Sequence, residues 1–147
     1  MHVRNVRFLA DSVVVHVALR RRRLICPLCS FSTPHRHDVR PVDSDWRHLD
    51  LGVWRLEIRA RLRRLVCPEH GVRVEGVAFA RHGSDFTRDF EHLVAWLATR
   101  TDKTTIKRMV RIHWATAGRI IERVCADELD RDRLERLFEI GIETVHA

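Results

Sequence analysis

Residues Arg64–Gly71 read RLVCPEHG, and residues Arg23–Cys29 read RLICPLC. Both carry an Arg-Leu-(Ile/Val)-Cys-Pro lead-in, and both place two metal-ligating side chains three positions apart: Cys26 with Cys29, and Cys67 with His70. A tight turn at each Pro aims the two side chains of a pair at one point. Two such turns supply three thiolates and an imidazole, a donor set with which Zn2+ builds closed tetrahedral sites at about 2.0–2.3 Å. Four protein ligands leave no position for a catalytic water. The pattern therefore predicts one structural zinc ion held by Cys26, Cys29, Cys67 and His70. His35 and His37 are spare candidates for the fourth position should the second turn form differently. A lone C-x-x-C would suit a redox dithiol too, but a thioredoxin-like pair opens a helix, and here Ser32, Thr33 and Pro34 follow instead. Cys125 falls in a helical pattern and reads as a buried small hydrophobe.

Outward from the two turns the chain reads as strands. Trp54, Leu56, Ile58, Ala60 and Leu62 alternate with Arg55, Glu57, Arg59, Arg61 and Arg63, and Val13, Val15, Val17 and Leu19 repeat the period upstream. Period two is the mark of a strand with one buried and one wet face. Each long strand is expected to run straight into a metal turn, so that the ion pins two strand ends together and supplements a small core. The wet face of the second strand is an arginine ladder, suited either to phosphates or simply to solvent.

The period changes after Gly83 and Ser84. Phe86, Phe90, Leu93, Val94 and Leu97 share one helical face behind a Thr87 N-cap, with Asp89 and Glu91 in the first turn. Thr104–Val110 reads as a short second helix, Arg111–His113 as a turn, and a third helix starts at Trp114, burying Trp114, Ala117, Ile121 and Val124. That is the outline of a helix-turn-helix, whose last helix enters the DNA major groove. Thr116 and Arg119 are the expected base readers, with Arg123 on the same side, and Lys103, Lys107, Arg108 and Arg111 are placed for phosphates. An ordinary basic helical bundle would show a similar pattern.

Composition agrees with a polyanionic partner. The 147 residues carry a net charge of +7 and a pI near 10.4, and every basic residue except Lys103 and Lys107 is Arg, whose planar fork suits phosphate and guanine edges. No apolar run approaches the roughly 18 residues a membrane helix needs, and no signal-peptide order opens the chain, so a cytoplasmic, nucleoid-associated protein is expected. The expected class is α+β: a small zinc-binding antiparallel β module over residues 1–83, a three-helix helix-turn-helix module over 84–129, and a short remainder over 130–147.

The runs WRHLDLGVWRLEIRARLRRLVCPEHG, FTRDFEHLVAWLATRTDKTTIKRMVRI and RLERLFEIGIE resemble the N-terminal part of bacterial insertion-sequence transposases of the ISL-three family. The resemblance implies a zinc module, then a helix-turn-helix that recognises the terminal inverted repeats of the element as double-stranded DNA, then an RNase H-like domain whose three acidic residues hold divalent metal ions. Full-length transposase is a further implied partner. At Ile140–Thr144 this chain has Ile-Gly-Ile-Glu-Thr where the family's catalytic domain opens with an Ile-Gly-Ile-Asp-Glu strand, and it stops at Ala147. The expectation is a DNA-binding fragment without strand-transfer activity, residues 130–147 being a catalytic stub; the alternatives are a remnant without specific DNA binding, or a redox protein. His113 stands where an acidic or Ser cap is usual before the recognition helix, and a lost N-cap costs about 1 kcal/mol.

Overall fold

A computed structural model describes residues 1–128. Among them nine strands precede three helices: β1 (His2–Phe8), β2 (Ser12–Ala18), β3 (Leu24–Ile25), β4 (Ser32–Thr33), β5 (Asp38–Val39), β6 (Ser44–Leu51), β7 (Trp54–Ala60), β8 (Arg63–Cys67), β9 (Gly71–Val74), α1 (Arg88–Ala98), α2 (Lys103–Val110) and α3 (Trp114–Glu128). The expected catalytic stub and the last expected helical residue, Leu129, lie outside the described residues.

The two alternating stretches become neighbours in a four-stranded sheet of order β1-β2-β7-β6. Its buried side holds Val17, Ile58 and Ala60 with Trp46, Leu62 and Ala80, and Trp46 meets Phe79 edge to face at 5.0 Å. β1–β2 and β6–β7 are antiparallel as expected, but the central pair is parallel, with Val15 opposite Ile58 and Val17 opposite Ala60. The sheet is thus mixed. A parallel pair needs a long crossover, and the chain between Ala18 and β6 supplies it while carrying the first metal turn. Nor do the long strands run directly into the metal turns: the backbone leaves the sheet after Ala18 and after Ala60, and the cysteines sit in two smaller sheets, β3-β4 and β5-β8-β9. The arginine ladder is an ion-paired face, with Arg59 on Asp45, Arg61 on Asp43 at 2.8 Å and Arg63 on Glu75 at 2.7 Å. Trp54, expected to be buried, is 41% exposed because it lies at the hairpin end of β7.

The helices form where the pattern placed them. Thr87 caps α1 by accepting from the Phe90 N–H, and Asp102 caps α2 by accepting from the N–H groups of Thr104 and Thr105. His113 takes over the missing cap of α3: its ring Nδ1 accepts from the Ala115 N–H at 3.3 Å. Phe90, Val94 and Leu97 of α1 enclose Ile106 and Val110 of α2 and Ala117, Ile120 and Val124 of α3. Ile120, rather than Trp114 or Ile121, fills the centre, and Trp114 lies half-buried with the Lys103 ammonium 5.0 Å from its ring centroid. Cys125 is exposed, contrary to expectation, since it follows Val124 around the helix away from the core.

Sheet, loop and helices are fastened at several places, two of them around α1. At the first, residues leading into α1 run beside β6: Thr87 N–H donates to the Arg47 carbonyl at 2.9 Å, the Thr87 hydroxyl meets His48 Nδ1 at 2.8 Å, and Leu49 packs on the helical core. At the second, Glu91 is fully buried on the stripe that carries Phe90 and Val94. One of its oxygens accepts from Ser84 Oγ at 2.7 Å and Arg123 Nη2 at 2.8 Å, the other from Arg81 Nη1 at 2.8 Å. Arg81 reaches on to Asp127 and Glu128 in the last turn of α3. Burial pushes the Glu91 carboxyl up, but Ser84, Arg81 and Arg123 outweigh it and hold the group below the ordinary carboxylate range. The folded state therefore binds this proton less readily than the unfolded chain, so the stabilisation is complete above the ordinary carboxylate pKa and is lost as pH falls through the depressed one. Glu91→Gln leaves the buried Arg81 and the partly exposed Arg123 short of a charge and should cost about 3 kcal/mol in urea unfolding at neutral pH, shrinking toward acid; exposed Asp89→Asn should cost about 0.5 kcal/mol.

Candidate metal centre and nucleic-acid interface

β3 delivers Cys26 and β8 delivers Cys67, and the two strands meet through Leu24 and Leu65, both essentially inaccessible. The first turn is closed by the Cys26 N–H donating to the Phe31 carbonyl at 2.9 Å, which swings Cys29 back over Cys26. The second ends at Gly71 with φ +68, a left-handed backbone that glycine adopts without strain. Cys26, Cys29, Cys67 and His70 converge so that their ligand atoms all lie within 4.8 Å of one another. Cys29 Sγ is 3.6 Å from Cys67 Sγ, and His70 Nδ1 is 3.5 Å from Cys67 Sγ and 3.8 Å from Cys26 Sγ. A tetrahedron with bonds of 2.0–2.3 Å has edges of about 3.3–3.8 Å, so these spacings fit one ion at the centre. His35 and His37 are outside this group; the backbone N–H of His35 donates to Thr33 Oγ1, and the His37 ring faces Asp38.

Electrostatics point the same way. Burial raises the Cys67 thiol, but the His70 ring, the backbone N–H groups of His70 and Glu69, and Cys29 outweigh it and bring it down to about 6. For Cys29 the balance reverses. The Phe31 backbone favours the thiolate, yet burial and the sulfurs of Cys67 and Cys26 push the thiol up to about 11. Three sulfurs in one small volume cannot all ionise unless a cation shares it, and a bound cation removes this conflict. The four residues can hold a metal ion. Because Cys26 and Cys67 are themselves half of the buried cluster they form with Leu24 and Leu65, an ion held there would be one unit with the local core.

The helical side sorts the expected DNA residues into two groups. Lys103, Lys107 and Arg108 are exposed along α2, and Arg119 is exposed on α3, with its Nη2 donating to Thr116 Oγ1 at 3.3 Å. Thr116 itself is half-buried at a cleft of about 490 Å3 that it shares with Asp45, Glu57 and His113. Arg111 and Arg123 are committed elsewhere. Arg111, at φ 52, donates to Asp50 at 2.7 Å and to the Val53 carbonyl at 3.0 Å, and Arg123 neutralises buried Glu91. Glu91, expected only as a first-turn acid of α1, is instead fully buried and paired with Arg81 and Ser84, which the sequence reading did not reveal. An acid on the apolar stripe of α1 was the available signal, since a buried carboxylate requires a cationic partner.

Two helices joined by a three-residue turn, with a third packed across them, define a helix-turn-helix unit. Residues 76–125 match the helix-turn-helix domain of transposase family ISL3. Two curated relatives from strains of Mycobacterium tuberculosis, each named transposase for insertion sequence element IS1557, are 42% identical to the chain over 101 residues, 68% of its length. The chain spans 23% of the length of those relatives. No solved structure matches it. The chain thus carries an ISL3-type helix-turn-helix domain, preceded by a Cys3His cluster. Among the described residues no helix is long and apolar enough to cross a membrane.

Cobalt(II) added to the reduced protein should give the visible absorption of a tetrahedral thiolate site, and Cys67→Ser should abolish it. In hydrogen exchange, chelation should expose residues 24–40 and 62–76 while leaving the helical core of Phe90, Val94, Ile106 and Ile120 protected, because the two clusters share no residue.

Proposed function

We propose that this chain is the zinc-dependent DNA-recognition region of an insertion-sequence transposase, which binds the terminal inverted repeats of its element as double-stranded DNA. The observation that carries the reading is the helix-turn-helix match over residues 76–125 on a unit whose exposed basic residues lie on α2 and α3. Lys103, Lys107 and Arg108 contact phosphates and set the register; Arg119 reads a base edge, most simply guanine O6 and N7 through its two-pronged donor face. Thr116 assists by fixing the Arg119 side chain. Arg111 and Arg123 act indirectly, by holding the turn and the body of α3. Zinc is the ion best matched to three sulfurs and one nitrogen at tetrahedral spacing, and its part is to fold the β3–β4 and β8–β9 segments. Residues 1–83 form the metal-bearing part and 84–129 the DNA-reading part, in contact with full-length transposase when both occupy one element end.

Fluorescence anisotropy with a duplex of the terminal repeat and a scrambled duplex tests this. The repeat should bind tighter, and affinity should fall steeply with salt as phosphate contacts release counterions. Lys107→Ala should weaken both duplexes alike and reduce the salt slope by about one, whereas Arg119→Ala should cost about 1–3 kcal/mol on the repeat alone. Equal affinity of the wild type for both duplexes would defeat the reading and leave a remnant with non-specific binding.

A further inference from the structure

The end of the four-stranded sheet nearest the helix-turn-helix exposes apolar side chains that no part of the described chain covers. The parallel register sets Ser12 opposite Arg55, so the β1–β2 turn and the β6–β7 turn emerge at the same end, joined by the Arg55 N–H donating to the Asp11 carbonyl at 3.1 Å. Phe8, Leu9, Leu51, Val53 and Trp54 all stand exposed there, Val53 at 75%. Gly52, at φ +63 between Leu51 and Val53, has open space around the position of a side chain. A contiguous apolar tip on a basic protein marks a contact surface.

Two features decide what it contacts. The tip is rigidly tied to the turn that feeds α3: Arg111 grips Asp50 and the Val53 carbonyl, and Arg47 Nη1 donates to the Arg111 carbonyl at 3.1 Å. Wherever the first turn of α3 enters a major groove, the hairpin follows at a fixed offset. The tip also carries cationic side chains without an ion-pair partner among the described residues: Arg55 on β7 and Arg7 on β1 are exposed, whereas Arg47 and Arg111 are held on Asp50 and Asp11 is the exposed acid of the neighbouring turn. An apolar wedge flanked by exposed arginines such as Arg55 and Arg7 suits a minor groove, where apolar side chains part base steps and arginines reach the narrowed groove and its phosphates.

We propose that the β6–β7 hairpin tip is a second DNA-contacting element, a wing that lays Leu51, Val53 and Trp54 into the minor groove flanking the α3 site, with Arg55 on the adjoining phosphate. The proposal rests on the DNA-binding reading above and extends it to residues outside the helix-turn-helix. It makes the recognised sequence longer than one helix could read, and it adds a preference for deformable steps on one flank.

The test uses the full 147-residue chain on a terminal-repeat duplex that extends a helical turn past the α3 site on both sides. Guanine N7 methylation reports the major groove and adenine N3 methylation the minor groove. Wild type should protect both. Val53→Asp should bind about tenfold more weakly and lose the flanking N3 protection while keeping N7 protection. Trp54→Ala should lose the same N3 signal, and both variants should keep wild-type metal content and circular dichroism. Wild-type N7 protection without flanking N3 protection overturns the wing and spares the helix-turn-helix reading; absence of N7 protection overturns both. Val53→Asp that leaves the footprint intact but dissolves a dimer in sedimentation also overturns the wing, and gives the patch to a second copy of the chain.

Discussion

Four ligand atoms drawn from two turns, 38 and 44 residues apart in their cross-turn contacts, come within 4.8 Å of each other. Two-residue strands such as β3 and β4 have little to bury and cannot hold a fold by backbone pairing alone. Their local core is Leu24 and Leu65 together with two of the ligating cysteines, so whatever occupies the centre of the four donors also closes that core. Ionisation makes the same demand: burial and the neighbouring sulfurs push Cys29 up to about 11, and a cation would let all three thiols serve as ligands.

Attachment of the helices to the sheet follows a different physics. No ion is needed there; a buried carboxylate and a few arginines suffice. Glu91 takes Arg81 and Arg123, Arg81 takes the acids at the end of α3, and in the turn that precedes α3 Arg111 is drawn to Asp50 on β6. The third helix is thereby held near both ends, while its buried face of Ala117, Ile120 and Val124 packs in the core it shares with α1. Such buried pairs add less net stability than their Coulomb energy suggests, but they penalise alternative orientations, each of which would strand a charge.

The arginines thus divide by environment, not by type. Arg59, Arg61, Arg63 and Arg64 face acids across strands and serve the β structure. Among the described residues no acid stands within ion-pair distance of Lys103, Lys107, Arg108 or Arg119, and these remain available to a polyanion. A net charge of +7 favours such a partner in general, and exposed cations without an acid beside them, on α2 and α3 as on the β1–β2 side, are the ones free to meet it.

The sequence by itself determined what is local or periodic. Two C-x-x-(C/H) turns with the same lead-in picked out the four residues that cluster, period two picked out β2 and β7, and the Thr87 cap with period 3.6 placed the starts of α1, α2 and α3 within a residue of those observed. Each of those signals lies within a few residues of chain, where backbone geometry dictates side-chain direction. Only the tertiary structure decided the parallel pairing of β2 with β7, the withdrawal of Arg111 and Arg123 into ion pairs, the exposure of Cys125, and the apolar hairpin tip beside the helix-turn-helix turn. Those outcomes depend on which distant groups share one volume, where a charge must find its opposite or stay in water, and no spacing along the chain encodes that neighbour.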